Sequence, residues 1–189
     1  MSAALTFSAV LLAAGRSTRM GVDKAMLRVA DGALWERQLG VLRAAGCCEV
    51  MISARPEQTW VPANTSVVRD AKPDAGPLAG IAAALAQTEA THLLVLAVDL
   101  PRMEPAWLVR LKAHCAPGVG AVGRHAGFFE PLAAIYPRGL LGAAESALGS
   151  GELSLQRFIA SAGAAMTAVE ISPAEALWFT NWNAPSEAP

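Results

Sequence analysis

The chain has 189 residues, of which 53% are hydrophobic, and its formal net charge is −1. This length is typical of a single domain with one sizeable core. The charge leaves no basic stripe for nucleic acid, and no apolar run reaches the roughly 18 residues that a membrane span needs. Because residues 1–5 contain no Lys or Arg, we expect no signal peptide. We therefore expect a soluble, cytoplasmic protein with neither a nucleic-acid nor a membrane partner.

The three cysteines and three histidines form no pattern typical of a disulfide framework or a metal site. Cys47 and Cys48 are adjacent, Cys115 is isolated, and the histidines are scattered. We interpret the three thiols as buried, small hydrophobic groups in a reducing compartment.

Strand and helix patterns alternate along the first two thirds of the chain. The apolar runs predict strands at 7–12, 50–54, 66–69 and 92–98, and the helical spacing predicts helices at 34–45, at 78–87 and from Pro105. Such alternation is typical of a parallel sheet that is covered by helices on both faces. The expected fold class is therefore α/β, a three-layer Rossmann-like arrangement with a mostly parallel central sheet.

The predicted strands and helices no longer alternate regularly after about residue 117. The later patterns predict strands at 121–123, 128–136, 166–171 and 178–180, and helices at 138–148 and 153–162. No linker and no internal repeat interrupts the chain. We therefore expect residues 1–189 to form a single domain.

The segment 12–24, with the sequence LAAGRSTRMGVDK, follows the first predicted strand and combines small residues with cations. The small residues are Ala13, Ala14 and Gly15, and the cations are Arg16, Arg19 and Lys24. Backbone N–H groups beside such small side chains can approach an anion closely, and the cations supply the charge that phosphate oxygens require. The segment is neither a Walker A loop nor a dinucleotide-binding G-x-G-x-x-G motif.

Two aspartates follow predicted strands directly. Asp70 comes after the strand at 66–69, and Asp99 comes after the most apolar strand, at 92–98. In an open α/β sheet ligands bind beyond the carboxyl ends of the strands, so we expect the loop and both aspartates to converge on one edge. A carboxylate there suits Mg²⁺, which prefers oxygen ligands. Either aspartate could instead be a turn residue.

The loop sequence resembles the signature L-A-[GA]-G-x-S-x-R-M-G-x-D-K of nucleotidyltransferases that activate a phosphorylated acceptor with a nucleoside triphosphate. Within that superfamily the chain is similar to the molybdenum cofactor guanylyltransferase family. The further segments that carry this resemblance are RD at 69–70, GPLAG at 76–80, VDLP at 98–101, EPL at 130–132 and NWN at 181–183. They occur in the expected order over almost the whole chain.

The resemblance implies transfer of GMP from GTP to the terminal phosphate of molybdenum-loaded molybdopterin, with Mg²⁺ and with release of pyrophosphate. It implies catalytic roles for Arg19, Lys24 and Asp99, with Asp99 as the metal ligand. The implied nucleotide-binding residues are Leu12, Ala13, Ala14, Gly15, Lys24, Ser53, Asp70, Gly76, Pro77, Leu78, Gly80 and Asp99.

The resemblance also implies a division of the domain, with residues 1–116 mainly binding the nucleotide and residues 117–185 mainly binding the acceptor. The implied acceptor-binding residues are Glu130, Asn181 and Asn183. If residues 178–183 are extended, the two asparagines point to the same side. The partners implied are GTP and molybdopterin as substrates, with transient contact to molybdoenzymes or other cofactor-synthesis proteins.

Ser53 departs from the family pattern, which commonly has an asparagine contacting guanine just after the second strand. A serine hydroxyl cannot present the donor and the acceptor of an amide together, so both guanine and cytosine stay open as the base. Two further points stay open: which phosphorylated acceptor the chain uses, and whether the chain is catalytic. The chain could be a nucleotidyltransferase with a different phosphorylated acceptor, or it could be a non-catalytic accessory protein.

Overall fold

The computed structural model describes residues 4–15, 23–29, 32–69 and 75–182. In these ranges the strands are β1 (Phe7–Leu12), β2 (Arg28–Val29), β3 (Gly32–Ala33), β4 (Val50–Ser53), β5 (Ser66–Val68), β6 (His92–Ala97), β7 (Gly120–His125), β8 (Phe128–Pro137) and β9 (Met166–Glu170). The α-helices are α1 (Leu34–Ala44), α2 (Pro77–Gln87), α3 (Pro105–Lys112), α4 (Leu141–Ser150) and α5 (Leu155–Ala162). Short 3₁₀ turns are Lys24–Met26, Arg138–Leu140, Gly163–Ala165 and Glu175–Phe179.

The central sheet has seven strands in the described ranges, in the order β5-β4-β1-β6-β8-β7-β9. Strands β5, β4, β1 and β6 are mutually parallel, β8 is antiparallel to both neighbours, and β9 is parallel to β7. The register pairs Leu12 with Ser53 on one side and with Ala97 on the other. The carboxyl ends of β1, β4 and β6 are therefore level, as the prediction of a mostly parallel sheet requires.

Helices cover both faces of this sheet and give three layers. In β6, Leu94 and Leu96 pack into the layer formed with α1 and α3, whereas Leu93 and Val95 pack into the layer formed with α2 and α5. Successive strand side chains point to opposite faces, so a strand buried on both faces is a continuous apolar run. All six residues of β6 are buried for this reason.

The predicted strand at 178–180 is wrong, because Trp178 and Phe179 belong to the 3₁₀ turn Glu175–Phe179 and Thr180 follows it outside any strand. Oε2 of Glu175 accepts hydrogen bonds from the backbone N–H and the hydroxyl of Ser172, at 2.8 and 2.7 Å. These bonds fold the backbone back on itself instead of leaving it extended. The predicted extended arrangement from 178 to 183 fails at its start, and Asn183 lies outside the described residues.

The prediction that all three thiols are buried is also wrong. Cys48 is exposed, and Cys47 and Cys115 are half-buried. The reason is their position, since Cys47 and Cys48 follow α1 and Cys115 follows α3, beyond the helix faces that pack on the sheet. No helix in the described ranges is long and apolar enough to cross a membrane.

Candidate active site

A cavity of about 760 Å³ opens at the level carboxyl ends of β1, β4 and β6. Predicted nucleotide-binding residues that line it are Leu12, Ala13, Ala14, Gly15, Lys24, Ser53, Gly76, Pro77, Gly80 and Asp99. They come from four separate stretches of the chain. The structure therefore brings the described ends of the loop segment (12–15 and Lys24), the end of β4, the start of α2 and the end of β6 together around one space.

Lys24 and Asp99 form an ion pair in the wall of this cavity. Nζ of Lys24 donates to Oδ2 of Asp99 at 3.2 Å, and both side chains are partly buried, with 20% and 25% of their surfaces exposed. Asp99 follows β6 directly, and its carbonyl oxygen accepts a hydrogen bond from the N–H of Trp182 at 3.0 Å. A carboxylate and an ammonium group thus face the space that the predicted phosphate loop also borders.

Asp23 fixes the turn that presents Lys24. Its Oδ1 accepts from the N–H of Ala25 at 3.1 Å and caps the 3₁₀ turn Lys24–Met26. Its Oδ2 accepts from Nε2 of Gln58 at 2.7 Å and from Nε1 of Trp60 at 2.8 Å. The Asp23 carboxylate therefore joins the turn to the segment after β4.

The loop after β1 is also held from the segment after β4. Nη1 of Arg55 donates to the carbonyl oxygens of Ala14 and Gly15, at 2.9 and 2.8 Å. Nε2 of Gln58 donates to the carbonyl oxygen of Ala13 at 3.0 Å. Three consecutive carbonyl groups of the loop are thereby oriented by two side chains.

The opposite wall begins at Gly76 and the first turn of α2. Gly76 has φ of +69°, a conformation that glycine adopts without strain, and Pro77 begins the helix. Gly80 follows one turn later and also borders the cavity. Leu78 is fully buried in the core beneath α2 and does not line the cavity.

A family model and the curated relatives described below agree on one family. The model of the MobA-like NTP transferase domain matches residues 9–166. A protein of Opitutus terrae that carries the name probable molybdenum cofactor guanylyltransferase is 46% identical, over 97% of this chain and 94% of its own length. A protein of the same name from Pelotomaculum thermopropionicum is 39% identical, over 76% of this chain and 70% of its own length.

This chain belongs to the MobA-like NTP transferase family. The fold agrees, since the structure of molybdopterin-guanine dinucleotide biosynthesis protein A from Archaeoglobus fulgidus has a TM-score of 0.76 at 22% identity. That match covers 95% of this chain and 93% of the other. The expected nucleotidyltransferase fold is confirmed, as is the membership of an enzyme family that transfers nucleotides.

The two predicted acceptor residues of this MobA-like chain that the structure describes, Glu130 and Asn181, do not line the main cavity. Asn181 borders a second cavity of about 250 Å³ together with Pro101, Arg102 and Trp182. Glu130 lies in β8 opposite Gly123, and burial raises the pKa of its carboxyl group while His125 opposes that change. Three other predicted site residues lie outside the described residues: Arg19, Asp70 and Asn183.

MobA-like transferases use a divalent metal ion. In the described part of the chain, three or more His, Cys, Asp or Glu side chains do not come together as a metal-binding group. Asp99 offers one carboxylate beside a cavity large enough for a triphosphate, whose oxygens can complete an oxygen ligand set. The residues present therefore fit a hard divalent cation that is shared between protein and substrate.

Sequence reasoning missed Arg55 and Gln58, which border or brace the cavity, and it assigned no site role to Asp23 and Arg69, although both stand in segments that carry the resemblance. Arg55 and Arg69 line the cavity, and Nη1 of Arg69 donates to the carbonyl oxygen of Ala54. Both arginines lie just beyond the parallel strands β4 and β5, the same position that singled out Asp99. Applying the strand-end rule to cations as well as carboxylates would have found them.

Proposed function

We propose that this protein transfers GMP from GTP to the terminal phosphate of molybdenum-loaded molybdopterin. The products are pyrophosphate and the guanine dinucleotide form of the cofactor. The observation that carries the proposal is the Lys24–Asp99 pair in a cavity of about 760 Å³ beside the MobA-like loop. The names of the Opitutus and Pelotomaculum relatives support the choice of GTP and of the molybdenum cofactor.

The reaction needs charge neutralisation more than it needs a base. An oxygen of the acceptor phosphate is already ionised, attacks the α-phosphorus of GTP, and the bond from that phosphorus to the bridging oxygen of pyrophosphate breaks. The barrier arises from bringing two anions together while charge grows on the leaving group. Lys24, together with Arg19 and the N–H groups of the loop, would hold those phosphates in line and offset the charge.

Asp99 is the residue that we propose holds the metal, and we propose Mg²⁺. When bound, Mg²⁺ would neutralise charge on the triphosphate oxygens. The Asp99 carboxylate is oriented for this role by its position after β6 and by the hydrogen bond between its own carbonyl and Trp182. Lys24 balances the carboxylate charge at 3.2 Å.

The remaining residues divide between the two substrates. We assign the nucleotide to the main cavity, with the loop from Leu12 to Gly15 at the phosphates and with Ser53, Gly76, Pro77 and Gly80 toward the base and ribose. Asp70 would join this set. We assign the acceptor to the side of Asp99 where Asn181 borders the second cavity, with Glu130 and Asn183 as further acceptor residues. This division follows the proposed parts 1–116 and 117–185.

Ser53 supports one alternative, a cytidylyltransferase that acts on the same acceptor. Its side chain is buried at the end of β4, in the cavity wall where the base would lie. A hydroxyl group forms fewer base-edge hydrogen bonds than the amide that is common at this position in the family. Choice of GTP or CTP then depends on backbone groups and on neighbouring cations.

Release of pyrophosphate with each of GTP, CTP, ATP and UTP tests the proposal, with molybdenum-loaded molybdopterin as acceptor and with and without Mg²⁺. We expect Mg²⁺-dependent release from GTP alone. Release from CTP would assign the protein to the cytidylyl reaction. Absence of release with all four nucleotides would contradict a transferase acting on this acceptor. Release from GTP that continued without the acceptor would indicate hydrolysis instead.

A further inference from the structure

Arg55 reaches across the cavity edge to a loop that lies 40 positions earlier in the chain. Its Nη1 atom donates to the carbonyl oxygens of both Ala14 and Gly15, at 2.9 and 2.8 Å. Its Nε atom donates to Oε1 of Glu57 at 3.0 Å, and the side chain of Arg55 is about three-quarters buried. The carboxylate of Glu57 therefore holds the guanidinium group at Nε, and the loop carbonyl groups hold it at Nη1.

These bonds determine where the loop N–H groups point. A trans peptide unit is planar, so the N–H of one residue points opposite to the carbonyl group of the residue before it. The carbonyl of Ala14 faces Arg55, so the N–H of Gly15 faces away from it. The carbonyl of Ala13 faces Gln58, so the N–H of Ala14 faces away from that side chain.

Neither N–H group has a partner within the described part of the chain. Both Ala14 and Gly15 border the main cavity, and neither has a side chain large enough to cover its own backbone. Two oriented N–H donors at the edge of an open cavity form a site for an anion. Arg55 also lines the cavity, so its guanidinium group adds positive charge to the same place.

We propose that Arg55 is the positioning residue of the triphosphate loop. It holds the carbonyl oxygens of Ala14 and Gly15 toward the guanidinium, which turns the N–H of Gly15 toward the phosphates of a nucleoside triphosphate. Gln58 orients the neighbouring N–H of Ala14 in the same way through the carbonyl of Ala13. This inference rests on the proposed nucleotide site. Without Arg55 the same peptides can rotate, and a carbonyl oxygen turned toward the phosphates repels them.

Arginine suits this position better than lysine. Its planar fork donates from Nη1 to the loop while Nε binds Glu57, so the direction of the side chain is fixed at both ends. A lysine ammonium group keeps the charge and can donate to a carbonyl oxygen, but it cannot reproduce both contacts. The Arg55→Lys variant therefore separates the charge of Arg55 from its geometry.

The test compares binding of GTP, GMP and guanosine by calorimetry, in the presence of Mg²⁺. For Arg55→Gln we expect about a 10- to 100-fold loss of affinity for GTP, because the donors are no longer pre-organised. The loss should be smaller for GMP and absent for guanosine, which has no phosphate. Arg55→Lys should fall between Arg55→Gln and the wild type for GTP.

Arg157→Gln is the matched control, since Arg157 also pairs with a glutamate, Glu152 at 2.7 Å, but lies on the exposed side of α5. Its affinities should equal those of the wild type. Equal losses for guanosine and GTP in Arg55→Gln would overturn the proposal in favour of base recognition. Unchanged GTP affinity in both Arg55 variants, or weaker GTP binding explained by a lower fraction of folded protein in thermal unfolding, would also overturn it.

Different results would contradict this inference and the proposed function. If the wild type binds GTP but releases no pyrophosphate with molybdopterin, the transfer reaction is contradicted while the Arg55 comparison remains decisive. If CTP binds in place of GTP, the same comparison with CTP, CMP and cytidine applies. If the wild type binds none of the four nucleoside triphosphates, both proposals are contradicted.

Discussion

Nζ of Lys24 lies 3.2 Å from Oδ2 of Asp99, although the two residues are 75 positions apart in the chain. The contact is a consequence of sheet order, because β1 and β6 are parallel neighbours in register and the loops that follow them meet at one edge. The backbone bond from Trp182 to Asp99 brings a third remote segment to the same point. The residues that we propose for nucleotide, metal and acceptor therefore meet at one edge of the sheet.

Replacement of Asp99 by asparagine tests the proposed metal ligand. Asparagine keeps the size of the side chain but removes its charge, so the metal and Lys24 both lose their anionic partner. We expect the rate of pyrophosphate release to fall by about 10²–10³-fold, the range found when one pre-organised electrostatic contact is lost. Single-turnover kinetics with saturating nucleotide measures this effect.

The control for that experiment is Glu145→Gln, which removes an exposed carboxylate from α4. This variant should turn over at the wild-type rate. The circular dichroism spectrum of Asp99→Asn should equal that of the wild type, since the side chain is only partly buried. A near-normal rate for Asp99→Asn would exclude Asp99 as the metal ligand.

Much of the first half of the fold could be predicted, because its signals are local. The continuous apolar run of β6 is readable from its own residues, and prolines mark the starts of α2 and α3. The turn at Glu175–Phe179 was missed for a physical reason. Aromatic residues there favour a strand, but the conformation is fixed by Arg110, which binds Glu175 from 65 positions away.

In the candidate site, too, some residues could be predicted from the local sequence, whereas others depend on contacts with remote segments. Asp99 could be named because it lies directly after a predicted strand, and Gly15 and Ser53 because they stand in or beside motifs of the family that the chain resembles. The structure places all three around one cavity. The position of Arg55 after β4 could have singled it out, but the contacts that Arg55 and Gln58 make with the loop could not be predicted in this way. Those contacts are bonds to loop carbonyl groups 40 or more positions earlier, which sequence spacing does not reveal.

Substitution of Gly120 by alanine should destabilise the sheet. A Cβ atom at Gly120 would lie 2.1 Å from the backbone oxygen of Ile135 in the neighbouring strand β8, which cannot move without breaking the ladder. We expect the free energy of unfolding to fall by about 2–3 kcal/mol, as for other forced insertions into packed interiors. Urea denaturation followed by fluorescence measures it.

Gly40→Ala is the matched control, because Gly40 lies inside α1 with no atom within 4 Å of an added Cβ. Alanine is the better helix former, so this variant should gain about 0.5–1 kcal/mol. If both variants lost similar stability, the close approach of β7 and β8 at Gly120 would be contradicted.

The three thiols should react with an alkylating agent at different rates. Burial raises the pKa of Cys115 to about 11 and also raises the pKa of Cys47, with Lys112 opposing both changes. At pH 8 only about one Cys115 thiol in a thousand is then ionised. Cys48 is exposed, so we expect iodoacetamide to modify it first, as peptide mass spectrometry would show.

Cys48→Ser serves as the control for that experiment. It should abolish the fast phase of modification and leave only the slow modification of Cys47 and Cys115. Raising the pH toward 10 should accelerate modification of Cys115, because its thiolate fraction rises tenfold with each pH unit below its pKa. Modification of Cys115 as fast as Cys48 at pH 8 would contradict the burial of this thiol.

The ion pair of Glu175 and Arg110 should make stability depend on pH in the acid range. Nη1 of Arg110 donates to Oε1 of Glu175 at 2.5 Å, and this bond, with those from Ser172, lowers the pKa of the Glu175 carboxyl to about 2 from its ordinary value of 4.5. The ionised carboxylate is thus favoured by the folded state. Its stabilisation is complete above pH 4.5 and is lost as the pH falls toward 2.

Glu175→Gln should therefore lower the free energy of unfolding at pH 7 by about 1 kcal/mol, a value reduced for solvent screening because Arg110 is partly exposed. The difference between wild type and variant should shrink when urea denaturation is repeated between pH 4.5 and pH 3, since the wild-type carboxyl then takes up a proton on unfolding. Glu145→Gln, on the exposed face of α4, should show no such dependence. A Glu175→Gln difference that stayed constant from pH 7 to pH 3 would show that the carboxylate charge does not stabilise this turn.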